Sequence, residues 1–132
     1  MSIDHVDIRV ADLERSAAFY SAALAALGWR AKDADNDPTG QRTVDFDGGS
    51  GTEFAIHEPS DEPGQDTVTT GAHIAFAAES RAVVDRFHAA ATRAGGIDIG
   101  APGPRPQYGG DYYGAFVLDP DGNNIEAVCS SP

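Results

Sequence analysis

The chain has 132 residues, 21 acidic against 9 basic, and a formal net charge of −12. Such a field repels nucleic acid and anionic membrane surfaces, which excludes both as partners. No apolar run reaches the roughly 18 to 20 residues that a membrane-spanning helix needs. The single cysteine, Cys129, excludes an internal disulfide framework and suits a reducing cytoplasm. The N-terminus shows no basic region followed by an apolar stretch, so a cytoplasmic location is expected.

Residues 3–10 carry the β-branched or apolar side chains Ile3, Val6, Ile8 and Val10 and read as a strand. His5 shares a face with Ile3 and Asp7 rather than with Val6. Asp12 is an N-cap candidate, and Ala17, Tyr20, Leu24 and Leu27 recur at helical spacing over residues 13–27. Gly28 closes the helix as a C′ residue does. A strand begins at residues 29–31, residues 33–40 read as a polar turn region, and residues 42–47 alternate as a strand. The turn Asp47-Gly48-Gly49-Ser50-Gly51 leads into a strand over 52–57, where Glu53 and His57 share one face. Acid is densest at 33–37 and 58–66, as in solvated loops, and residues 60–70 read as a linker.

After the linker the pattern restarts. Residues 72–77 form a strand opening on His73, and Ser80 is an N-cap candidate. Val83, Val84, Phe87, Ala91 and Ala94 make a helical stripe that Gly95 and Gly96 end. Residues 97–99 are short and extended, and residues 100–110, with Pro102, Pro104 and Pro106, read as a loop. The last element is a hairpin around Pro120-Asp121-Gly122. Its second strand carries Glu126 between Ile125 and Ala127, and a carboxylate there is costly to bury unless it is paired or binds a metal.

The two halves are related. An offset of 68 positions pairs His5 with His73, Phe19 with Phe87 and Tyr20 with His88. Each half reads strand, helix, then a three-stranded meander with an Asp-Gly turn followed by a glutamate, Glu53 or Glu126. One helix covers only one face of such a unit, so two units are expected to share a core. The expected fold is α+β: two paired βαβββ modules forming a concave eight-stranded mixed sheet around a cavity. The modules are residues 1–59 and 71–132, joined by the linker 60–70 in one compact domain.

Pseudo-symmetry is expected to bring His5 and His73 together, either within one chain or across a dimer interface by swapped pairing, with Glu126 lining the same cavity. Two imidazoles and a carboxylate with open positions suit a divalent metal ion: Fe, Mn, Ni, Co or Zn. Glu53 is the favoured fourth ligand and His57 a weaker one. The blander reading is that each strand histidine is a hydrogen-bonded structural residue and that Glu53 faces solvent. His88, beside Phe87, reads as structural, and Cys129 as a packing residue. Trp29, Tyr112 and Tyr113 are candidates to line the cavity.

These residues resemble a known family. The paired openings His5-Val6-Asp7-Ile8-Arg9-Val10 and His73-Ile74-Ala75-Phe76, with the ending from Phe116 through Asp119-Pro120-Asp121-Gly122 to Glu126, are similar to the vicinal oxygen chelate superfamily. That superfamily includes glyoxalase I, bleomycin-resistance proteins, fosfomycin-resistance transferases and extradiol dioxygenases. The resemblance implies a divalent metal held by His5, His73 and Glu126, and substrates that chelate it through adjacent oxygens. By the same resemblance Glu53 takes the place of the glutamate that serves glyoxalase I as ligand and base. A tyrosine, Tyr113 or its neighbour Tyr112, would donate a hydrogen bond to the substrate. The expected function is a metal-dependent enzyme on a small molecule, a lyase or isomerase before a dioxygenase, working as a homodimer. The alternative is a metal-free drug-binding protein, which an acidic groove would suit for a cationic ligand.

Overall fold

The computed structural model describes residues 3–32, 34–36, 38 and 40–132. The polar turn region and acidic run expected from residue 33 onward therefore lie partly outside the described residues, at Asp33, Asp37 and Thr39.

The chain folds as two βαβββ modules, the first with one additional two-residue strand. The first contains β1 (His5–Arg9), α1 (Leu13–Ala25), β2 (Arg30–Ala31), β3 (Asp35–Asn36), β4 (Arg42–Asp47) and β5 (Glu53–His57). The second contains β6 (His73–Ala77), α2 (Arg81–Arg93), β7 (Ile97–Pro104), β8 (Tyr113–Leu118) and β9 (Asn124–Cys129), with a 3-10 turn at Pro106–Tyr108. The first sheet has the order β1-β5-β4-β2, with the short β3 also paired to β4; the second has the order β6-β9-β8-β7. In each, the opening strand lies at the edge and runs parallel to the last one, while the meander is antiparallel.

The helix ends follow the sequence signals. Asp12 accepts a hydrogen bond from the Arg15 amide over 3.0 Å, and the Ser80 hydroxyl accepts from the Val83 amide over 3.3 Å. Gly95, at φ +102°, takes the left-handed conformation that ends α2. Gly96 is required by packing, because a Cβ there would run into Val117 and Phe19.

One core joins the modules. Alternation sends Ile8, Phe46, Phe54 and Ile56 of the first sheet toward the helices, with Phe19, Tyr20 and Leu24 of α1. From the second module come Phe76, Val117, Ile125 and Ala127, with Val84, Phe87 and Ala91 of α2. The two helices pack on each other. Each sheet therefore turns its other face outward.

The turn at 119–123 locks the modules together. Asp119 is buried; its Oδ1 accepts from the amides of Asp121 and Asn123 at 2.9 Å each, and its Oδ2 accepts from the Tyr20 hydroxyl at 2.5 Å. Asn123, fully buried, donates to the Thr69 carbonyl over 2.9 Å and accepts from the Ala72 amide over 3.0 Å. Thr69 in turn pairs with Arg9 of β1. The Asp119 carboxylate thus serves as a structural acceptor.

Candidate functional site

The outward faces carry the sequence-predicted donors, one pair on each module. On the first sheet Ile8 points into the core, so His5 and Asp7 point outward. His5 stands directly opposite Glu53 in the β1–β5 ladder. Its side chain is 61% exposed, and Nδ1 lies 2.9 Å from Asp4 Oδ1. That hydrogen bond, with the charge of Asp7, holds the imidazole above its usual pKa. Glu53 accepts from Lys32 Nζ over 2.5 Å, and this bond raises the lysine's pKa. A cavity of about 350 Å³ opens here, with His5, Asp7, Asp45 and Glu53 in its wall.

On the second sheet Ile125 and Ala127 enter the core, so Glu126 between them turns outward beneath His73. Glu126 is 2% exposed, whereas the His73 side chain is 52% exposed. His73 Nε2 lies 2.8 Å from Glu126 Oε1, and the Tyr112 hydroxyl donates to Oε2. Phe116 faces Glu126 across the β8–β9 ladder, and its ring centroid is 6.1 Å from that of His73. Burial first, then the bond to Glu126, pushes the Tyr112 phenol up to about 12. Tyr112 is therefore a neutral donor throughout the neutral range.

Within one chain the pairs remain separate. No Cα of β1 comes within 8 Å of one in β6. Among the described residues no group of three or more His, Cys, Asp or Glu side chains is placed to hold a metal ion. Between the two edge strands lies a mainly apolar cavity of about 250 Å³, with Val6, Trp29, Phe54, Ile74 and Phe76 in its wall.

Two expectations are corrected by the geometry. The repeat relation of Glu53 to Glu126 is off by two residues: Glu126 stands opposite Ala75 and Glu53 opposite His5, so Glu126 is level with Ala55 and Glu53 with Asn124. Two residues preserve the face, so both glutamates still point outward. Tyr113 points the other way. Its hydroxyl donates to Asp85 Oδ1 on α2 over 2.7 Å, and the Arg81 guanidinium lies 5.0 Å from its ring centroid. Tyr112 is the tyrosine that meets Glu126. Strand parity carries that signal, because Tyr113 shares a face with buried Ala115 and Val117. Trp29 packs edge-on against Phe76 at the wall of the apolar cavity. His88 bonds Asp98 over 3.0 Å, which holds that carboxyl below its usual pKa, and Cys129 is buried in the core.

Comparison with known proteins matches this architecture. The sequence model of the Glyoxalase/Bleomycin resistance protein/Dioxygenase superfamily covers residues 2–127. A protein named probable lactoylglutathione lyase, from Synechocystis sp., is 35% identical over 99% of this chain and 97% of its own length. The crystal structure of a glyoxalase/bleomycin resistance protein from Albidiferax ferrireducens superposes with a TM-score of 0.76, at 31% identity over 98% of both chains. Glyoxalase I from Zea mays shares the fold, with a TM-score of 0.68 and 22% identity over 96% of this chain and 43% of that one.

Proposed function

Because the chain belongs to the Glyoxalase/Bleomycin resistance protein/Dioxygenase superfamily, we propose that it is a metal-dependent lyase or isomerase of glyoxalase type. Its substrate is a small molecule with two adjacent oxygens. The observation that carries this reading is the buried Glu126 carboxylate 2.8 Å from half-exposed His73, on the face that in the other module carries His5 and Glu53. This arrangement sets a carboxylate oxygen and an accessible imidazole nitrogen side by side on one outward face. Imidazole nitrogens with carboxylate oxygens form a donor set that suits a first-row divalent ion.

His5, His73 and Glu126 would hold the metal, with Glu53 beside it. When bound, a divalent ion supplies Lewis acidity toward two adjacent substrate oxygens. The protein side chains do the rest. Glu53 takes and returns the proton at the carbon next to the substrate carbonyl. Tyr112 keeps Oε2 of Glu126 occupied, which leaves Oε1 on the His73 side. Since each module offers one histidine and one glutamate, the complete site joins the first module of one chain to the second module of another in a homodimer.

The test is divalent metal titration of chelator-treated protein. About one metal per chain, lost in both His5→Ala and His73→Ala, supports the reading; no binding removes it. A second reading has its own observation: Lys32 already neutralises Glu53, and His73 and Tyr112 already satisfy Glu126. Closed pairs of this kind suit a metal-free binding protein, which the same titration would leave as the survivor.

A further inference from the structure

The outward face of the second module continues past His73 into a cavity of about 300 Å³, walled by Ile99, Gly100, Arg105, Tyr108, Phe116 and Asn124. Two of these side chains are left incomplete by the fold. Asn124 stands directly opposite His73 in the ladder, and its Oδ1 is buried without a hydrogen-bond partner. A buried amide oxygen in that state carries an uncompensated desolvation cost.

Arg105 is the second. Its guanidinium sits 5.4 Å from the Phe116 ring centroid, on the residue that also faces Glu126. It donates to the Ala101 carbonyl over 2.7 Å and, more weakly, to the Pro104 carbonyl over 3.3 Å. It forms no ion pair with any carboxylate among the described residues. With five N–H donors, Arg105 keeps most of its fork free. A guanidinium held over an aromatic ring by carbonyls alone has N–H donors open to an outside anion.

We propose that Arg105, Asn124 and Phe116 form a subsite for a carboxylate of the ligand, and that the substrate is therefore a small carboxylic acid. A planar carboxylate matches the guanidinium fork. Asn124 Oδ1 is an acceptor and cannot meet an anion itself, so Asn124 contributes only by the flipped amide, which places its Nδ2 N–H at that position. Phe116 supports the guanidinium from below and bridges the subsite to His73. The choice of substrate class rests on the catalytic reading above; the subsite itself involves no metal ligand.

The probes are phenylglyoxylate and its neutral amide, measured by calorimetry on chelator-treated protein. The parent should bind the acid at least tenfold more tightly than the amide. Arg105→Gln should abolish that preference, Arg105→Lys should retain part of it, and Asn124→Leu should weaken the acid several-fold. Thermal melting of each variant shows that it is folded. Equal binding of acid and amide by the parent, no binding of either in the millimolar range, or an unchanged preference in folded Arg105→Gln overturns the subsite. Metal titration of Arg105→Gln separates the two readings, since a parental metal affinity is expected there. A lost acid preference in protein that binds no metal would leave the subsite standing and the metalloenzyme reading fallen.

Discussion

The hydroxyl of Tyr20 donates to Oδ2 of Asp119 across 99 positions of sequence, tying the first helix to the last hairpin. Both groups are buried. Tyr20→Phe leaves a buried carboxylate short of one donor, which costs about 1 to 3 kcal/mol. A melting temperature lower by several degrees is expected. The same bond fixes a pH dependence. Burial, then the Asp119 charge, raises the Tyr20 phenol above its usual 10.0 in the folded state. Its contribution is therefore complete below pH 10 and is lost as pH rises further, because only the unfolded chain ionises there. Melting curves across that range should show a smaller alkaline loss in Tyr20→Phe than in the parent; parallel losses would refute the assignment.

Glu126 and Tyr112 should respond together. Glu126→Gln keeps the shape and removes the charge, so divalent metal affinity should fall by at least the roughly 10 to 100-fold seen for residues that only support a ligand. The Tyr112 phenol, held near 12 partly by that charge, should move back toward its ordinary value in the same variant. Ultraviolet titration of tyrosinate, with Tyr112→Phe to identify the step, reads this directly. An unmoved step would show that burial alone sets the shift.

The modules were legible because both periodicities are clean: β-branched alternation at Ile8 and Val10, and helical spacing at Tyr20, Leu24, Phe87 and Ala91, each with its cap. The extension of β7 to Pro104 was not. Residues 100–104 contain two prolines, yet β7 is the edge of its sheet and breaks register near Gly100 and Gly103, where a missing N–H is tolerated. The site was legible by residue type and only partly by position. An Asp-Gly turn locates the glutamate that follows it, but loop length sets the register, and the ladder places Glu126 level with Ala55. Asn124 and Arg105 carried no sequence signal, since their meaning lies in what they fail to pair with.

Glu53 tests proton transfer. It faces His5 across the ladder and is held by Lys32. Both partners are substantially exposed, so the ion pair contributes little to stability. Glu53→Ala should melt close to the parent yet abolish turnover of any substrate found, with His57→Ala milder. Lys32→Ala should retain turnover, because the carboxylate survives. Side-by-side turnover and melting decide it; full activity in Glu53→Ala would remove the base and leave a three-ligand site or a binding protein.

The last prediction concerns His5 and His73, which one chain keeps apart. If the site forms between two chains, each contributes His5 to one site and His73 to the other. A His5→Ala chain paired with a His73→Ala chain then concentrates both losses in one site and leaves the second intact. Each variant alone should bind no metal. Mixed in equal amounts and allowed to exchange subunits, half the dimers are hybrid, so about one site in four should regain metal under two-fold symmetry. If both histidines act within one chain, every site in the mixture keeps one lesion and nothing is regained. Metal content of the exchanged mixture, with size-exclusion chromatography to establish the dimer, separates the two arrangements without reference to a substrate.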